Sequence, residues 1–427
     1  MTAAVVLVSA ACSGGASNSV GSPDLSSLPS SESSADAAAT RVEHGPAADS
    51  QILLINSTGN LVVVNDDGSD PRLLGSADAQ VTSPVWSPDG SRIAWTEVEA
   101  AAFGGIDVSL VTANFDGSDP TRIVTPFPSF YSYWDPTSQS VAILGDDPDG
   151  VGLAFADADQ DGEALQVDVA APYYLVWDPT GSSLLAHAGN SLRLVIPSGE
   201  ISDFTIGSGL YQSPGIIGDE GEIIFAEGAD PLGELKLGQL GSGEITTLIG
   251  YQGNAWLEVD PSGTRVALQS TGRIGTPAED EADPLAGLDF EVVDRGLDII
   301  EISTGEATRV SDDPAAAYFW SPDGNQLLVA AIETVDGVLW LQWKIWSDGE
   351  LEAVGDRFQP SSSLGGSVMP FFDQYSLSHS LWAPDGEHFT YAGTDQLGDS
   401  GVWVMDTLTG EATLIVEGAV LSFWSPT

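Results

Sequence analysis

A short turn motif recurs along the chain between runs of apolar residues. In its fullest form it reads WSPDG at residues 86–90, and a strand-like run, SRIAWT, follows at residues 91–96. Proline fixes φ at the second position of a type I turn, Asp or Ser fits the third, and Gly accepts the strained exit. Each copy therefore predicts a tight turn between two antiparallel strands.

Copies of this turn motif, some of them degenerate, predict the number of repeating units. They lie at residues 86–90, 134–137, 177–181, 217–221, 259–263, 320–324, 382–386 and 424–427. A second series of glycines, each after an apolar run, predicts a hairpin turn between a third and a fourth strand. These are Gly68, Gly117, Gly162, Gly199, Gly243, Gly305, Gly349 and Gly410. Four short strands in about 40–60 residues is the period of a propeller blade, so residues 51–427 predict an all-β, eight-bladed β-propeller of four-stranded antiparallel blades.

The phase of the repeat predicts how the ring closes. The ordered part begins near Gln51 with a second-strand segment, and residues 421–426 form a first strand with no successor. The C-terminal strand should therefore pair with the N-terminal blade. Such pairing removes the exposed edge strands of an open array.

The Trp-Ser-Pro-Asp-Gly turn followed by an apolar strand resembles the repeat of TolB-like propellers, relatives of the WD-type propellers, over about residues 51–427. The resemblance implies a fold and leaves function open, because the same repeat serves binding proteins, scaffold domains and peptidase lids. The anchor tryptophans recur in register. They are expected to pack between blades rather than to hold a cofactor.

The N-terminus resembles a bacterial lipoprotein signal. Residues 1–12 read MTAAVVLVSAAC, which ends in small residues before Cys12, the expected lipidation site. Residues 13–50 are rich in Ser, Ala, Gly and Pro and are expected to form a flexible linker. No Lys or Arg precedes the apolar run, so an ordinary secretory signal and a terminus without targeting meaning are the alternatives. The expected location is extracytoplasmic, either secreted or attached to the cell envelope through a lipid anchor alone.

The charge balance excludes one class of partner. The chain has 63 acidic and 12 basic side chains, a formal net charge of −51. Nucleic-acid binding requires a basic face, so no nucleic-acid partner is expected. An acidic excess with almost no lysine is typical of a protein from salty surroundings, and an ordinary acidic secreted protein is the alternative.

Strand parity separates two faces of the predicted ring. The tight Pro and Gly turns share one face, the turn face, which is expected to be flat. Two long insertions, near residues 271–297 and 355–378, share the opposite, inserted-loop face, where function is expected because long loops in compact repeats usually carry it. The candidate binding residues there are Arg295, Asp294, Asp373, Gln374, Tyr375 and His379. In the alternative interpretation, Phe371 and Phe372 plug the channel mouth and His379 bonds a backbone group.

Aromatic residues before other anchors should ring the same end of the channel, most of them as core packing. They are Phe130, Tyr131, Tyr133, Tyr173, Tyr174, Tyr211, Tyr318 and Phe319.

One stretch has the spacing of a calcium loop. Asp157, Asp159 and Asp161 precede Gly162, and Asp168 lies eleven residues after Asp157. Asp replaces the expected final Glu, flanking helices are not predicted, and the stretch coincides with a predicted hairpin. The hairpin is therefore the favoured interpretation, and calcium is the one cofactor considered.

Sequence motifs give no support for catalysis. The chain lacks a G-x-S-x-G elbow, an H-E-x-x-H pair and a phosphate-binding loop. The expected function is a non-catalytic, monomeric, extracytoplasmic propeller that binds an envelope protein or a glycan through its inserted-loop face. The alternative is a propeller hydrolase or lyase, with calcium assistance, whose active site lies at the channel mouth.

Overall fold

The computed structural model describes residues 50–76, 79–100, 105–206, 213–218, 221–229, 232–271, 274–275 and 296–427. These residues form eight antiparallel sheets, the blades of a β-propeller, with one short helical segment. The predicted eight-bladed, all-β fold is confirmed. The lipobox-like segment with Cys12, and the linker up to residue 49, lie outside the described residues.

Blades 1 to 4 each contain four strands in the order of the repeat. Written from first to fourth strand, they are Leu421–Trp424 (β34), Gln51–Ile55 (β1), Leu61–Asn65 (β2) and Arg72–Leu74 (β3); Gln80–Trp86 (β4), Arg92–Ala100 (β5), Ile106–Asn114 (β6) and Thr121–Val124 (β7); Ser129–Trp134 (β8), Ser140–Asp147 (β9), Gly150–Asp157 (β10) and Leu165–Ala170 (β12); Tyr173–Trp177 (β13), Leu184–Ala188 (β14), Ser191–Val195 (β15) and Ile201–Ile206 (β16). A two-residue strand, Gly162–Glu163 (β11), adds to the outer edge of blade 2 beside β7.

Blades 5 to 8 follow the same order. Their strands are Gly215–Ile217 (β17), Glu222–Ala229 (β18), Leu232–Gln239 (β19) and Glu244–Gln252 (β20); Ala255–Val259 (β21), Arg265–Ser270 (β22), Gly296–Glu301 (β24) and Ala307–Ser311 (β25); Ala315–Trp320 (β26), Leu327–Val335 (β27), Val338–Ser347 (β28) and Glu350–Ala353 (β29); Gln359–Pro360 (β30), His388–Thr394 (β31), Ser400–Asp406 (β32) and Ala412–Glu417 (β33). Ile274–Gly275 (β23) pairs with the edge of β20.

The C-terminal strand closes the ring as predicted. β34 pairs antiparallel with β1, from Ile52 opposite Trp424 to Ile55 opposite Leu421. The N–H of Ser425 extends this ladder by donating to the Gln51 carbonyl at 2.8 Å. Closure gives β34 a partner and places β1 between β2 and β34, so β1 is no longer an edge strand.

The anchor tryptophans join neighbouring blades through one repeated hydrogen bond. Each indole N–H donates to the carbonyl of the residue just before the anchor position of the preceding blade. The pairs are Trp86 to Phe423, Trp134 to Val85, Trp177 to Tyr133, Trp320 to Glu258 and Trp382 to Phe319, at 3.1–3.4 Å. Between blades 8 and 1, the backbone N–H of Trp424 donates to the Ser380 carbonyl instead. The regular recurrence of the anchor tryptophans in the sequence predicts that they pack between blades, and this prediction is confirmed.

The second insertion interrupts the first strand of blade 8. Residues 359–360 pair with the end of β31, the chain leaves the sheet at residue 361, and Trp382 later bridges to Phe389. The sequence predicts an insertion of residues 355–378 wholly between blades, and this boundary is wrong. A two-residue pairing leaves no alternating pattern in the sequence. We call residues 361–379 the channel plug.

Replacing Phe423 by alanine should destabilise the ring closure. Phe423 is 1% exposed on β34, and a Phe-to-Ala cavity costs about 3–5 kcal/mol. We expect a loss of this size in the free energy of unfolding, measured by denaturant titration. Leu408→Ala, at a residue 77% exposed, is the control and should change it by less than about 0.5 kcal/mol. Equal effects of the two substitutions would contradict the closure described here.

Candidate functional site

The channel plug is a compact helical segment surrounded by the first strands of the blades. It contains a π-helical turn, Leu364–Val368, a 3-10 turn, Met369–Phe371, and an α-helical turn, Phe372–Tyr375 (α1). Its buried apolar side chains belong to the hydrophobic cluster that contains Tyr318 and Phe319 of β26. The plug therefore completes the core of the ring from within the channel.

Gln374 fastens the plug to blades 3 and 4. Its amide oxygen accepts the N–H of Leu175 at 2.7 Å, and its amide nitrogen donates to the Leu175 carbonyl at 2.8 Å. The Gln374 side chain thus makes the same pair of hydrogen bonds with the first strand of blade 4 that a neighbouring strand would make. The hydroxyl of Tyr131 donates to the Gln374 carbonyl at 3.0 Å and lies 2.6 Å from the Ser378 hydroxyl.

Asp373 is a buried carboxyl on the same turn. One oxygen, Oδ2, accepts the N–H of Ser213 at 3.0 Å, and Oδ1 is buried without a partner among the described residues. Burial raises the pKa of Asp373 to about 6, and hydrogen bonds from backbone N–H groups, that of Ser213 first among them, oppose this shift. Asp373 therefore changes its charge near neutral pH.

His379 packs inside the ring. Its ring lies 4.5 Å from Phe423 and 4.8 Å from Tyr375, centroid to centroid, and Nδ1 is 2.6 Å from the Ser378 hydroxyl. Burial lowers the pKa of His379 to about 3, and a hydrogen bond with the Pro84 carbonyl opposes this shift. The imidazole is therefore neutral. This arrangement matches the alternative interpretation, in which His379 bonds a backbone group.

Of the two phenylalanines in the plug, Phe372 fills the channel. It is 3% exposed, and its ring centroid lies 4.3 Å from that of Tyr318. Phe371 is 46% exposed and faces a cavity.

A cavity of about 450 Å³ lies between the plug and blades 3 and 4 on the inserted-loop face. We call it the aromatic cavity. Its lining consists mainly of aromatic and small side chains: Phe130, Tyr131, Leu144, Asp146, Val151, Pro172, Tyr173, Tyr174, Gly366, Ser367, Phe371, Gln374 and Tyr375. The aromatic doublets at residues 130–131 and 173–174 begin the first strands of blades 3 and 4, which places them at this mouth of the channel.

The predicted site residues divide into three groups. Gln374 and Tyr375 line the aromatic cavity, whereas Asp373 and His379 are buried in the plug and do not line it. Asp294 and Arg295 lie outside the described residues. Asp146 also lines the aromatic cavity, although its Asp-Asp-Pro-Asp-Gly context predicts only a solvated turn.

The stretch with the spacing of a calcium loop, residues 157–168, spans the connection between β10 and β12, where a hairpin is predicted. Asp159 pairs with Arg92 of blade 2 at 2.7 Å, and Asp168 pairs with Arg193 of blade 4 at 2.8 Å. Asp161 accepts the backbone N–H of Arg122, and Asp157 accepts that of Asp159. The four carboxylates therefore point to different partners. Within the described ranges, no three His, Cys, Asp or Glu side chains are grouped to hold a metal ion.

The rim of the inserted-loop face carries large exposed apolar side chains. Four of them stand at second-to-third strand turns, one at the start of β8 and one in the plug. They are Ile106, Phe130, Val338, Leu339, Phe371 and Leu397, between 43% and 87% exposed. Phe130 and Phe371 also line the aromatic cavity, and exposed apolar side chains at the mouth of a cavity are typical of an interaction surface.

The turn face is not flat, contrary to the prediction. A cavity of about 400 Å³ opens there beneath the end of the plug, and we call it the turn-face cavity. It lies among the motif turns of blades 6, 7, 8 and 1, with Ser376 and Leu377 of the plug above it. Short turns alone predict a flat face. The cavity arises because the plug does not fill the space among these turns, which turn length does not reveal.

Comparison with family models finds no match, and comparison with curated proteins finds none either. Solved structures with a similar fold include a eukaryotic initiation factor, at TM-score 0.54 and 12% identity over 89% of this chain and 99% of that chain. TolB from Acinetobacter baumannii is similar at TM-score 0.38 and 15% identity, over 73% and 77%. A Mycobacterium tuberculosis puromycin-hydrolyzing peptidase is similar at TM-score 0.49 and 13% identity, over 88% and 56%. At these identities the likeness is one of fold.

The expectation that the chain is not an enzyme is overturned by these comparisons. A peptidase is among the proteins with a similar fold. A propeller can assemble a site from distant blades, and no contiguous motif records such a site.

In the part of the chain that the structure describes, no helix has the length and apolar character needed to cross a bilayer.

Asp373→Asn should change how stability depends on pH. The pKa of Asp373 is about 6 in the folded protein and near 3.8 when exposed, so its favourable contribution is complete below 3.8 and is lost as pH rises through 6. Asparagine does not titrate. The free energy of unfolding of the variant, relative to the parent, should therefore rise by about 2–3 kcal/mol between pH 4 and pH 7.

The measurement is urea unfolding at several pH values, and Asp149→Asn at an exposed turn is the matched control. A constant difference between Asp373→Asn and the parent across this range would show that Asp373 is not buried as described.

Proposed function

We propose that the protein is an extracytoplasmic propeller that binds an uncharged glycan in the aromatic cavity of its inserted-loop face. The observation that carries the proposal is the lining of this cavity. Six aromatic side chains from two blades and the plug surround a space of about 450 Å³: Phe130, Tyr131, Tyr173, Tyr174, Phe371 and Tyr375. The location rests on the lipobox-like sequence before Cys12, the proposed site of lipid attachment.

The chemistry of the lining suits a sugar ring. Aromatic faces pack against the apolar C–H face of a saccharide, while tyrosine hydroxyls and the side chains of Asp146 and Ser367 offer hydrogen bonds to its hydroxyl groups. The volume lies within the usual range of ligand sites, about 300–1,000 Å³.

The charge of the protein disfavours acidic ligands. The formal net charge is −51, and the one ionisable acid in the cavity lining, Asp146, is exposed. A negative field repels anions at the mouth of a cleft. A neutral glycan is therefore favoured over a uronic acid polymer or a phosphorylated ligand.

The cavity is held in shape before any ligand binds. Gln374 fixes the plug to Leu175 by two hydrogen bonds, and Tyr131 fixes it to blade 3. A preorganised site loses little conformational entropy on binding.

A protein partner is the second candidate. The exposed side chains of Val338, Leu339 and Leu397 lie on the same face and favour it. None of these three side chains lines the aromatic cavity, so the two candidates can be tested separately by substitution.

Phe371→Ala and Tyr174→Ala should each weaken glycan binding about tenfold, because each removes one aromatic wall of the cavity. Neutral and uronic oligosaccharides are first screened on an array, and affinities for the neutral binders are then measured by titration calorimetry. Leu397→Ala, on the same face but outside the lining, is the matched control and should keep the parent's affinity.

Point substitutions are preferable to deletion of residues 355–378. The deletion would remove the plug and part of the first strand of blade 8, so loss of binding would have no single cause. Unchanged affinity in both alanine variants would overturn the proposed site. Mass spectrometry of the titrated oligosaccharides would reveal any cleavage, which is the outcome expected of a propeller hydrolase or lyase.

A further inference from the structure

The turn-face cavity is lined by the repeat motif itself. The prolines of four motif turns, Pro261, Pro322, Pro384 and Pro426, form its wall together with Trp320 and Trp382. Proline and tryptophan give an apolar, rigid surface. Among the described residues that line the cavity, Glu258 is the single ionisable side chain.

Glu258 is buried with unused hydrogen-bonding capacity. The residue is 8% exposed, and its Oε1 accepts the backbone N–H of Trp320 at 3.3 Å. Oε2 is buried and has no hydrogen-bond partner in the part of the chain that the structure describes. A buried carboxyl oxygen without a partner is costly and points to a missing donor.

The position of Glu258 in the repeat is also unusual. It stands just before the anchor residue of blade 6, on the first strand. The equivalent residues of the other blades are all apolar or aromatic: Val85, Tyr133, Val176, Ile216, Phe319, Leu381 and Phe423. The contact that recurs around the ring uses only the carbonyl at this position, which here accepts the Nε1–H of Trp320, and the additional bond from the Trp320 backbone N–H occupies only one of the two carboxyl oxygens.

We propose that the turn-face cavity binds an alkylammonium group, with the carboxylate of Glu258 pairing with the ammonium and the proline and tryptophan wall enclosing the alkyl chain. A buried carboxylate supplies the charge-assisted hydrogen bond that an ammonium requires, and tryptophan faces attract cations. The acidic surface of the chain would concentrate cations near the mouth.

The titration of Glu258 gives the proposal an independent readout. Burial raises the pKa of Glu258 well above its usual range, and the backbone N–H of Trp320 and the hydroxyl of Ser376, which also lines the cavity, oppose this shift. The other titratable groups that face it are Asp373 of the plug, which raises the pKa further, and Tyr318 of β26. A bound cation stabilises the carboxylate, so binding should release a proton from Glu258.

Titration calorimetry of the unmodified protein with n-hexylammonium and with 1-hexanol tests the proposal without a variant. The ammonium should bind at least about tenfold more tightly than the alcohol of equal length. Repeating the ammonium titration in two buffers of different ionisation enthalpy measures the proton released. Equal affinities for the two probes would overturn the proposal.

Glu258→Gln keeps the acceptor for the Trp320 N–H and removes the charge. It should reduce hexylammonium affinity by about ten- to a hundredfold and abolish proton release. Asp298→Asn is the matched control, because Asp298 is another buried carboxyl of blade 6 but does not line the cavity. Parent-like ammonium binding by a folded Glu258→Gln protein would contradict the proposed pairing.

An ammonium group could come from a free amine or from a lysine side chain of another protein. A pentapeptide with one central lysine among glycines, titrated beside hexylammonium, distinguishes these sources. Tighter binding of the peptide would identify a protein ligand, and tighter binding of the free amine would identify a small molecule. The site is separate from the aromatic cavity, so neither result depends on the proposed glycan binding.

Discussion

The hydrogen bond from an anchor indole to the carbonyl of the preceding blade is the contact on which the ring depends. It occurs at five junctions with the same donor and the equivalent acceptor, for example Trp134 to Val85 and Trp382 to Phe319. Each tryptophan also buries a large apolar surface between two sheets. Repetition of one contact fixes the spacing of neighbouring blades. With eight blades, the first strands then surround a channel wider than their own side chains fill.

The channel plug is the consequence of that unfilled space. Phe372 supplies apolar volume against Tyr318, and Gln374 supplies the donor and acceptor that the backbone of Leu175 needs. The plug does not fill the channel completely. It leaves the aromatic cavity beside its π-helical and 3-10 turns and the turn-face cavity beneath Ser376, so both candidate ligand sites have the same structural origin.

Local patterns in the sequence predict the blades and the closing strand, which the structure confirms, whereas the functional role of the inserted-loop face stays a prediction. The turn motifs predict the number of blades, and the strand at residues 421–426, which has no successor, predicts the closure. Both features are local in the sequence. The path of the plug could not be predicted, because Gln374 and His379 find partners more than a hundred residues away, at Leu175 and Pro84. The same side chains that suggest a binding site in sequence, Asp373 and His379, are used for packing.

Glu258, by contrast, could have been singled out from the sequence. It is the one charged residue at its position in the repeat, and alignment of the eight copies would have revealed it.

Native-state hydrogen exchange tests the central claim, that residues 361–379 are a permanent part of the propeller core. The amides of Ser376 and His379 donate within the plug at 2.7 and 2.8 Å. They should exchange with the same free energy as amides in the core of β27, because the plug opens only when the ring unfolds. Exchange of these amides near the rate of an unfolded chain, while β27 stays protected, would contradict the account.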